Sequence, residues 1–63
     1  MTQKELLYLE DAVGHEDNII KIVEDMIENL SDEKLTSFMQ EELNSHMSIK
    51  NELINLLEVK VNE

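Results

Sequence analysis

The sequence predicts an all-α protein, an antiparallel two-helix hairpin that dimerises into a four-helix bundle. Three observations lead to this fold class. Apolar residues recur at alternating spacings of three and four along two long segments, as in amphipathic helices. One short polar break separates the segments. The 63 residues include no Pro and a single Gly, so β-turns are disfavoured along the whole chain.

Helix 1 is predicted over about residues 3–29. Thr2 can cap its first turn, and Glu5 stands three residues later, where it completes a capping box. Asn29 can adopt the left-handed conformation that ends many helices. Gly14 costs about 1 kcal/mol relative to Ala inside a helix, so helix 1 either continues through this residue or kinks there.

Helix 2 is predicted over about residues 32–61, after a turn at residues 29–31. The Ser31 hydroxyl can accept hydrogen bonds from the first-turn amides, and Asp32 and Glu33 place negative charge at the helix N-terminus. So short a connection makes the helices antiparallel neighbours. We therefore expect one domain, a helical hairpin over residues 1–63.

Each helix carries a coiled-coil-like seam of eight residues, and the two seams agree in register. They are Leu6, Leu9, Val13, Glu16, Ile20, Val23, Ile27 and Leu30 on helix 1, and Leu35, Met39, Glu42, His46, Ile49, Leu53, Leu56 and Lys60 on helix 2. Opposing residues have numbers that add to 62, as in the pairs Ile27 with Leu35 and Glu16 with His46.

A second apolar stripe beside each seam predicts self-association. The stripes are Tyr8, Ala12, His15, Ile19, Ile22 and Met26 on helix 1, and Leu43, Met47, Lys50, Ile54, Leu57 and Val61 on helix 2. A lone hairpin would expose more contiguous apolar surface than monomers usually tolerate. Two hairpins packed face to face would cover it, and a closed dimer is the expected homo-oligomer.

The charge balance limits the class of partner. Five Lys and fifteen acidic residues give a net charge of −10, which argues against nucleic acid and against anionic lipid as partners. No apolar run reaches the length of a membrane span, and the first residues lack the features of a signal peptide. We therefore expect a cytoplasmic location. With no Cys, disulfides and Cys-ligated metals are excluded.

Three polar seam residues carry the candidate chemistry: Glu16, Glu42 and His46. Glu42 and His46 are four residues apart and share a helix face, and Glu16 lies across from His46. A dimer would gather four carboxylates and two imidazoles at one level, the ligand types of a di-iron or di-manganese bundle site. Fe, Mn and Zn are the candidate metals. The Glu-x-x-x-His spacing is one residue longer than the Glu-x-x-His of such sites.

A structural interpretation of the same residues is preferred over metal binding. A Glu–His pair inside a bundle often fixes register without binding any cofactor. His15 belongs to the second stripe, where it would be an interface residue or an outer metal ligand. No Ser lies in a context that suggests a catalytic triad, and a hairpin offers no large cleft, so we expect no enzymatic activity.

Two segments of the chain resemble a known family. The run from Tyr8 to Glu16, Tyr-Leu-Glu-Asp-Ala-Val-Gly-His-Glu, and the run from Glu41 to His46, Glu-Glu-Leu-Asn-Ser-His, resemble the coat F group of ferritin-like proteins in spore-forming Firmicutes. The resemblance implies a ferritin-like bundle and a spore-coat role, and hence a spore location as an alternative. The chain departs from the group by stopping after one hairpin.

Three functions follow as hypotheses. The first is a small structural or interaction protein, spore-associated if the resemblance holds, which binds itself and other proteins. The second is a metal-binding half of a ferritin-like bundle. The third is a hairpin regulator that docks on a signalling protein through its second stripe.

Overall fold

The structure is a hairpin of two long helices that pack against each other along their length. The computed structural model describes residues 1–61, and the side chain of Val61 lies outside the description. Helix α1 spans Gln3–Asn29 and helix α2 spans Glu33–Val61. The predicted all-helical hairpin is confirmed. The Cα atoms extend over 47 × 14 × 11 Å, so the molecule is a rod about two helices wide.

The first turn of α1 is held by the predicted capping box. The Thr2 hydroxyl accepts a hydrogen bond from the Glu5 amide at 3.1 Å, and the Glu5 carboxylate accepts one from the Thr2 amide at 2.8 Å. These bonds to Thr2 stabilise the ionised carboxylate, so they lower the pKa of Glu5. Two amides that have no intrahelical partner are thereby satisfied.

The turn differs from the prediction at both of its ends. Asn29 is not left-handed, since no described residue has a positive φ. Its side-chain amide donates to the Asp25 carbonyl instead, and Leu30 ends the helix in an extended conformation. The cap of α2 is Asp32 rather than Ser31, because the Asp32 carboxylate accepts the Leu35 amide at 2.9 Å.

Helix α1 continues without a break through Gly14, which settles the choice between continuity and a kink. A Cβ atom placed on Gly14 would meet nothing within 4 Å. The packing of the hairpin therefore does not require a glycine at this position.

The predicted seam of α1 faces α2. All eight of its residues are at least partly shielded, and Val23 is buried. Among the described residues only Val23 and Leu43 are buried, and no side chain is completely buried, so the interior of the hairpin is a narrow strip.

The predicted seam of α2 is wrong at alternate positions. Leu35, Ile49 and Leu56 are exposed by 43%, 42% and 50%, whereas Leu43 is buried. The residues that face α1 are Thr36, Met39, Leu43, His46, Lys50, Leu53 and Leu57. Because α2 is apolar over two adjacent stripes, it rotates until the middle of the wide face meets α1. Four residues of the predicted seam, Lys60 among them, are thereby left exposed.

Candidate functional site

A polar layer crosses the hairpin at half its length. Glu16 is the middle residue of α1, and His46 lies one residue from the middle of α2. The His46 Nδ1 atom lies 2.6 Å from Glu16 Oε2, so the two predicted partners are in contact. This contact confirms the predicted alignment of the two helices at their centre.

The Glu16–His46 pair is a charge-assisted hydrogen bond in a shielded site. A carboxylate can only accept, so Nδ1 carries the proton and donates it to Glu16. The side chains are exposed by 15% for Glu16 and 25% for His46. Apolar residues of the neighbouring layers exclude most of the water, and a short bond of this kind is stronger than a bond between neutral groups.

Glu42 completes the layer on its outer side. Its Oε2 atom lies 4.0 Å from His46 Nε2, which is at the limit of an ion pair and too long for a hydrogen bond. The Glu42 side chain is 45% exposed. The imidazole thus has a carboxylate near each ring nitrogen, and the outer carboxylate reaches the surface of the hairpin.

The three residues predicted as metal ligands differ in their role: Glu16 orients the imidazole of His46, while His46 and Glu42 could reach a metal. Glu16 occupies Nδ1, which leaves Nε2 as the nitrogen that could reach a metal. Two ligand atoms on one tetrahedral metal lie about 3.4 Å apart at bonds of about 2.1 Å, somewhat closer than Nε2 and Glu42 Oε2. Within residues 1–61, no group of three or more His, Asp or Glu side chains is arranged to hold a metal ion. One chain therefore offers two ligands, with Glu16 orienting the ring.

His15 does not join the polar layer. It is exposed and lines a shallow open groove on α1 with Asp11, Gly14 and Asn18. No described hydrogen bond or ion pair connects it to Glu16, Glu42 or His46.

One functional contact was missed in the sequence. Lys50 forms an ion pair with Asp17 at 2.5 Å, and both side chains are about a third exposed or more. We had placed Lys50 in an apolar stripe without a partner. The signal that could have found the pair is the position of Asp17, which follows Glu16 directly and so lies beside the seam on the same edge as Lys50.

Most of the exposed large apolar side chains lie on one side of the hairpin, which we call the apolar face. Each of them comes immediately before a residue that faces the other helix, and two antiparallel helices of a hairpin project such residues toward the same side. The apolar face consists of Tyr8, Ile22 and Met26 on α1 and Leu35, Phe38, Ile49 and Leu56 on α2.

The side opposite the apolar face is polar. It carries the Asp17–Lys50 ion pair, and Leu7 and Met47 are the exposed large apolar residues there, because each follows a residue that faces the other helix. Four ionisable residues lie within the apolar face by the same criterion, Glu5, His15, Glu42 and Glu52, because each precedes a residue that faces the other helix. The apolar face and the Asp17–Lys50 ion pair therefore lie on opposite sides of the hairpin.

Neither helix in residues 1–61 is long and apolar enough to cross a membrane. Comparison of the chain with protein-family models, with curated proteins and with solved structures found no match to any of the three.

Proposed function

We propose that the chain is a small structural and interaction protein that works as a homodimer, in which two hairpins bury their apolar faces against each other as a four-helix bundle. The observation that carries this proposal is the apolar face, seven large apolar side chains exposed by 40% to 61% on one side of the rod. A patch of this kind on a small chain is typical of a protein–protein interface.

The total surface area supports the same conclusion. A folded monomer of 7.4 kDa exposes about 4,200 Å² by the usual scaling with mass, whereas the hairpin exposes 4937 Å². With two buried side chains among the described residues, neither of them completely shielded, the hairpin has little core of its own. Pairing of two hairpins supplies the missing core, so folding and association are coupled.

In this proposal the polar layer has a structural role. Glu16 and His46 satisfy each other inside the hairpin, and they disfavour any shift of α2 along α1, because a shift would leave both groups shielded and unpaired. The resemblance to the coat F group supports assembly in a spore coat as the setting. Catalysis forms no part of the proposed role.

The test compares two acidic substitutions of matched exposure. Ile22→Glu places a charge in the apolar face, and Met47→Glu places the same charge on the polar side. Light scattering after size-exclusion chromatography should give a dimer for Met47→Glu and a loss of the dimer, with loss of helical circular dichroism, for Ile22→Glu. Equal masses for the two variants would contradict the proposed interface.

A folded wild-type monomer would assign the apolar face to another protein. That result would support the regulator hypothesis, in which the same surface docks on a partner helix.

A second candidate function is metal binding by the dimer, and the outward position of Glu42 favours it. His46 Nε2 and Glu42 Oε2 lie at the apolar face side of the layer, where two copies would supply two imidazoles and two carboxylates. Such a set suits Zn, Fe or Mn. Metal binding requires unprotonated ligands, so acidification should weaken it.

Metal titrations followed by thermal unfolding separate the two functions. Under the metal hypothesis, Zn(II), Mn(II) or Fe(II) raises the melting temperature of the wild type and leaves that of His46→Ala unchanged. Equal shifts for both proteins, or no shift, would leave the polar layer with its structural role alone.

A further inference from the structure

We infer that the two hairpins of the dimer lie with their turns at opposite ends, so that α1 packs on the partner's α1 and α2 on the partner's α2. This inference rests on the proposed function, because it specifies the orientation of that dimer. Two-fold stacking of full-length hairpins has two solutions, with the turns at the same end or at opposite ends. Charge distinguishes them.

The two ends of the rod differ in charge. Residues 24–34 around the turn carry five acids against one Lys: Glu24, Asp25, Glu28, Asp32, Glu33 and Lys34. The two ends of the sequence, residues 1–6 and 58–63, carry Lys4 and Lys60 against Glu5, Glu58 and Glu63, and Lys60 lies beside the start of α1. Turns at the same end would place two acidic tips together, whereas opposite turns place each acidic tip on an end with less net negative charge.

One lysine, Lys4, lies where the orientation with opposite turns requires a positive charge. The Lys4 ammonium lies over the ring of Tyr8, 5.9 Å from its centroid, and Tyr8 belongs to the apolar face. With opposite turns, Lys4 comes to the level of Asp25 and Glu28 of the partner subunit. With turns at the same end, it would instead meet the end of the partner's α2, which carries Lys60.

The polar layer is compatible with this orientation because it lies at half the length of the hairpin. When one copy is reversed end to end, the residues at the middle of the hairpin face the same residues of the partner. The residues at all remaining levels face a different level of the partner. The polar layers therefore meet each other. A polar layer nearer to one end would have been placed against apolar side chains.

Opposite turns predict specific neighbours along the two α1 helices. Their numbers add to about 30, which sets Tyr8 beside Ile22 of the partner subunit and His15 beside His15 of the partner subunit. Residue 22 of one copy is then about 20 Å from residue 22 of the other, at a rise of about 1.5 Å per residue. A disulfide needs Cα atoms closer than about 7 Å.

Single-cysteine variants of this Cys-free chain test the orientation. Under mild oxidation, His15→Cys should form a covalent dimer, Ile22→Cys alone should not, and a mixture of Tyr8→Cys with Ile22→Cys should cross-link. If His15→Cys fails to cross-link while a mixture of Ile22→Cys with Phe38→Cys does, the turns lie at the same end and the inference is wrong.

Sedimentation of the reduced variants separates this failure from failure of the proposed function. Reduced variants that remain dimeric but give the second cross-linking pattern overturn only the orientation, whereas monomeric wild type overturns the dimer itself.

Charge reversal gives an independent measurement. Lys4→Glu should weaken association, and adding Asp25→Lys should restore it, whereas a second loss on adding Asp25→Lys would contradict the opposite orientation.

Discussion

At the scale of the residue, the Glu16–His46 pair explains how a chain with so small a core keeps one register. Both side chains are shielded, and each provides the partner that the other needs. The predicted contact was correct because polar residues on opposing seams must meet if neither is to be buried alone. The outward position of Glu42 could not be predicted, since it depends on the rotation of α2.

Replacing one partner of this pair should destabilise the protein more than replacing both. Glu16→Leu or His46→Met leaves a shielded polar group unpaired, at a cost of about 1–3 kcal/mol. The double variant should be as stable as the wild type or more so, because apolar side chains of similar volume fill the layer. Urea unfolding at fixed protein concentration measures the cycle. A double variant as unstable as the worse single variant would refute the structural role.

Gly14 destabilises helix α1, and no contact inside the hairpin requires a glycine at this position. Gly14→Ala should raise the free energy of unfolding by about 1 kcal/mol, because the added methyl group meets nothing and the helix gains a better helix former. Thermal unfolding at matched concentration measures this gain. Destabilisation would show that something approaches the backbone at Gly14 in the assembled protein.

At the scale of the element, the caps decide where α1 ends and α2 begins. From the sequence, the cap of α2 is assigned to Ser31, and Asp32 is treated only as negative charge at the helix N-terminus. The structure uses Asp32, which accepts the Leu35 amide while its own carbonyl accepts the Thr36 hydroxyl. Neighbouring cap candidates have similar intrinsic preference, so sequence alone could not separate them.

The two candidates give a matched pair of variants. Asp32→Ala should lower the free energy of unfolding by about 1 kcal/mol, while Ser31→Ala should change it little, because no described hydrogen bond to α2 uses the Ser31 side chain. Denaturant midpoints for the two variants check this directly. The reverse order would restore Ser31 as the cap.

The capping box makes the start of α1 sensitive to acid. Because the pKa of Glu5 is lowered in the folded state, its contribution is complete above the unfolded value and is lost as the pH falls through the folded value. Glu5→Gln keeps a hydrogen-bonding side chain without this titration. Amide exchange in the first turn should accelerate on acidification in the wild type relative to Glu5→Gln, after correction for intrinsic rates. Identical pH dependence in both proteins would contradict the assignment.

The rotation of α2 marks the limit of prediction from periodicity. On α1 the seam was correct in all eight positions, although a second apolar stripe lies beside it. On α2, Leu35 and Thr36, Ile49 and Lys50, and Leu56 and Leu57 are adjacent alternatives for the same contact. Packing selected the second member of each pair, which periodicity could not determine.

At the scale of the whole molecule, that rotation creates the apolar face. Leu35, Ile49 and Leu56 leave the interior and join Tyr8, Ile22 and Met26 on one side. The sequence predicted surplus apolar area, but it assigned the wrong residues of α2 to it. The net charge of −10 should keep the assembled bundles apart in solution.

The measurement that tests the central claim most directly is sedimentation equilibrium of the unmodified chain at micromolar concentration and about 0.15 M salt, where charge repulsion is screened. We predict a mass of twice 7.4 kDa, with helical circular dichroism that melts at a higher temperature as protein concentration rises. A folded species of one chain, with a melting temperature independent of concentration, would contradict the dimer and leave the apolar face to a different partner.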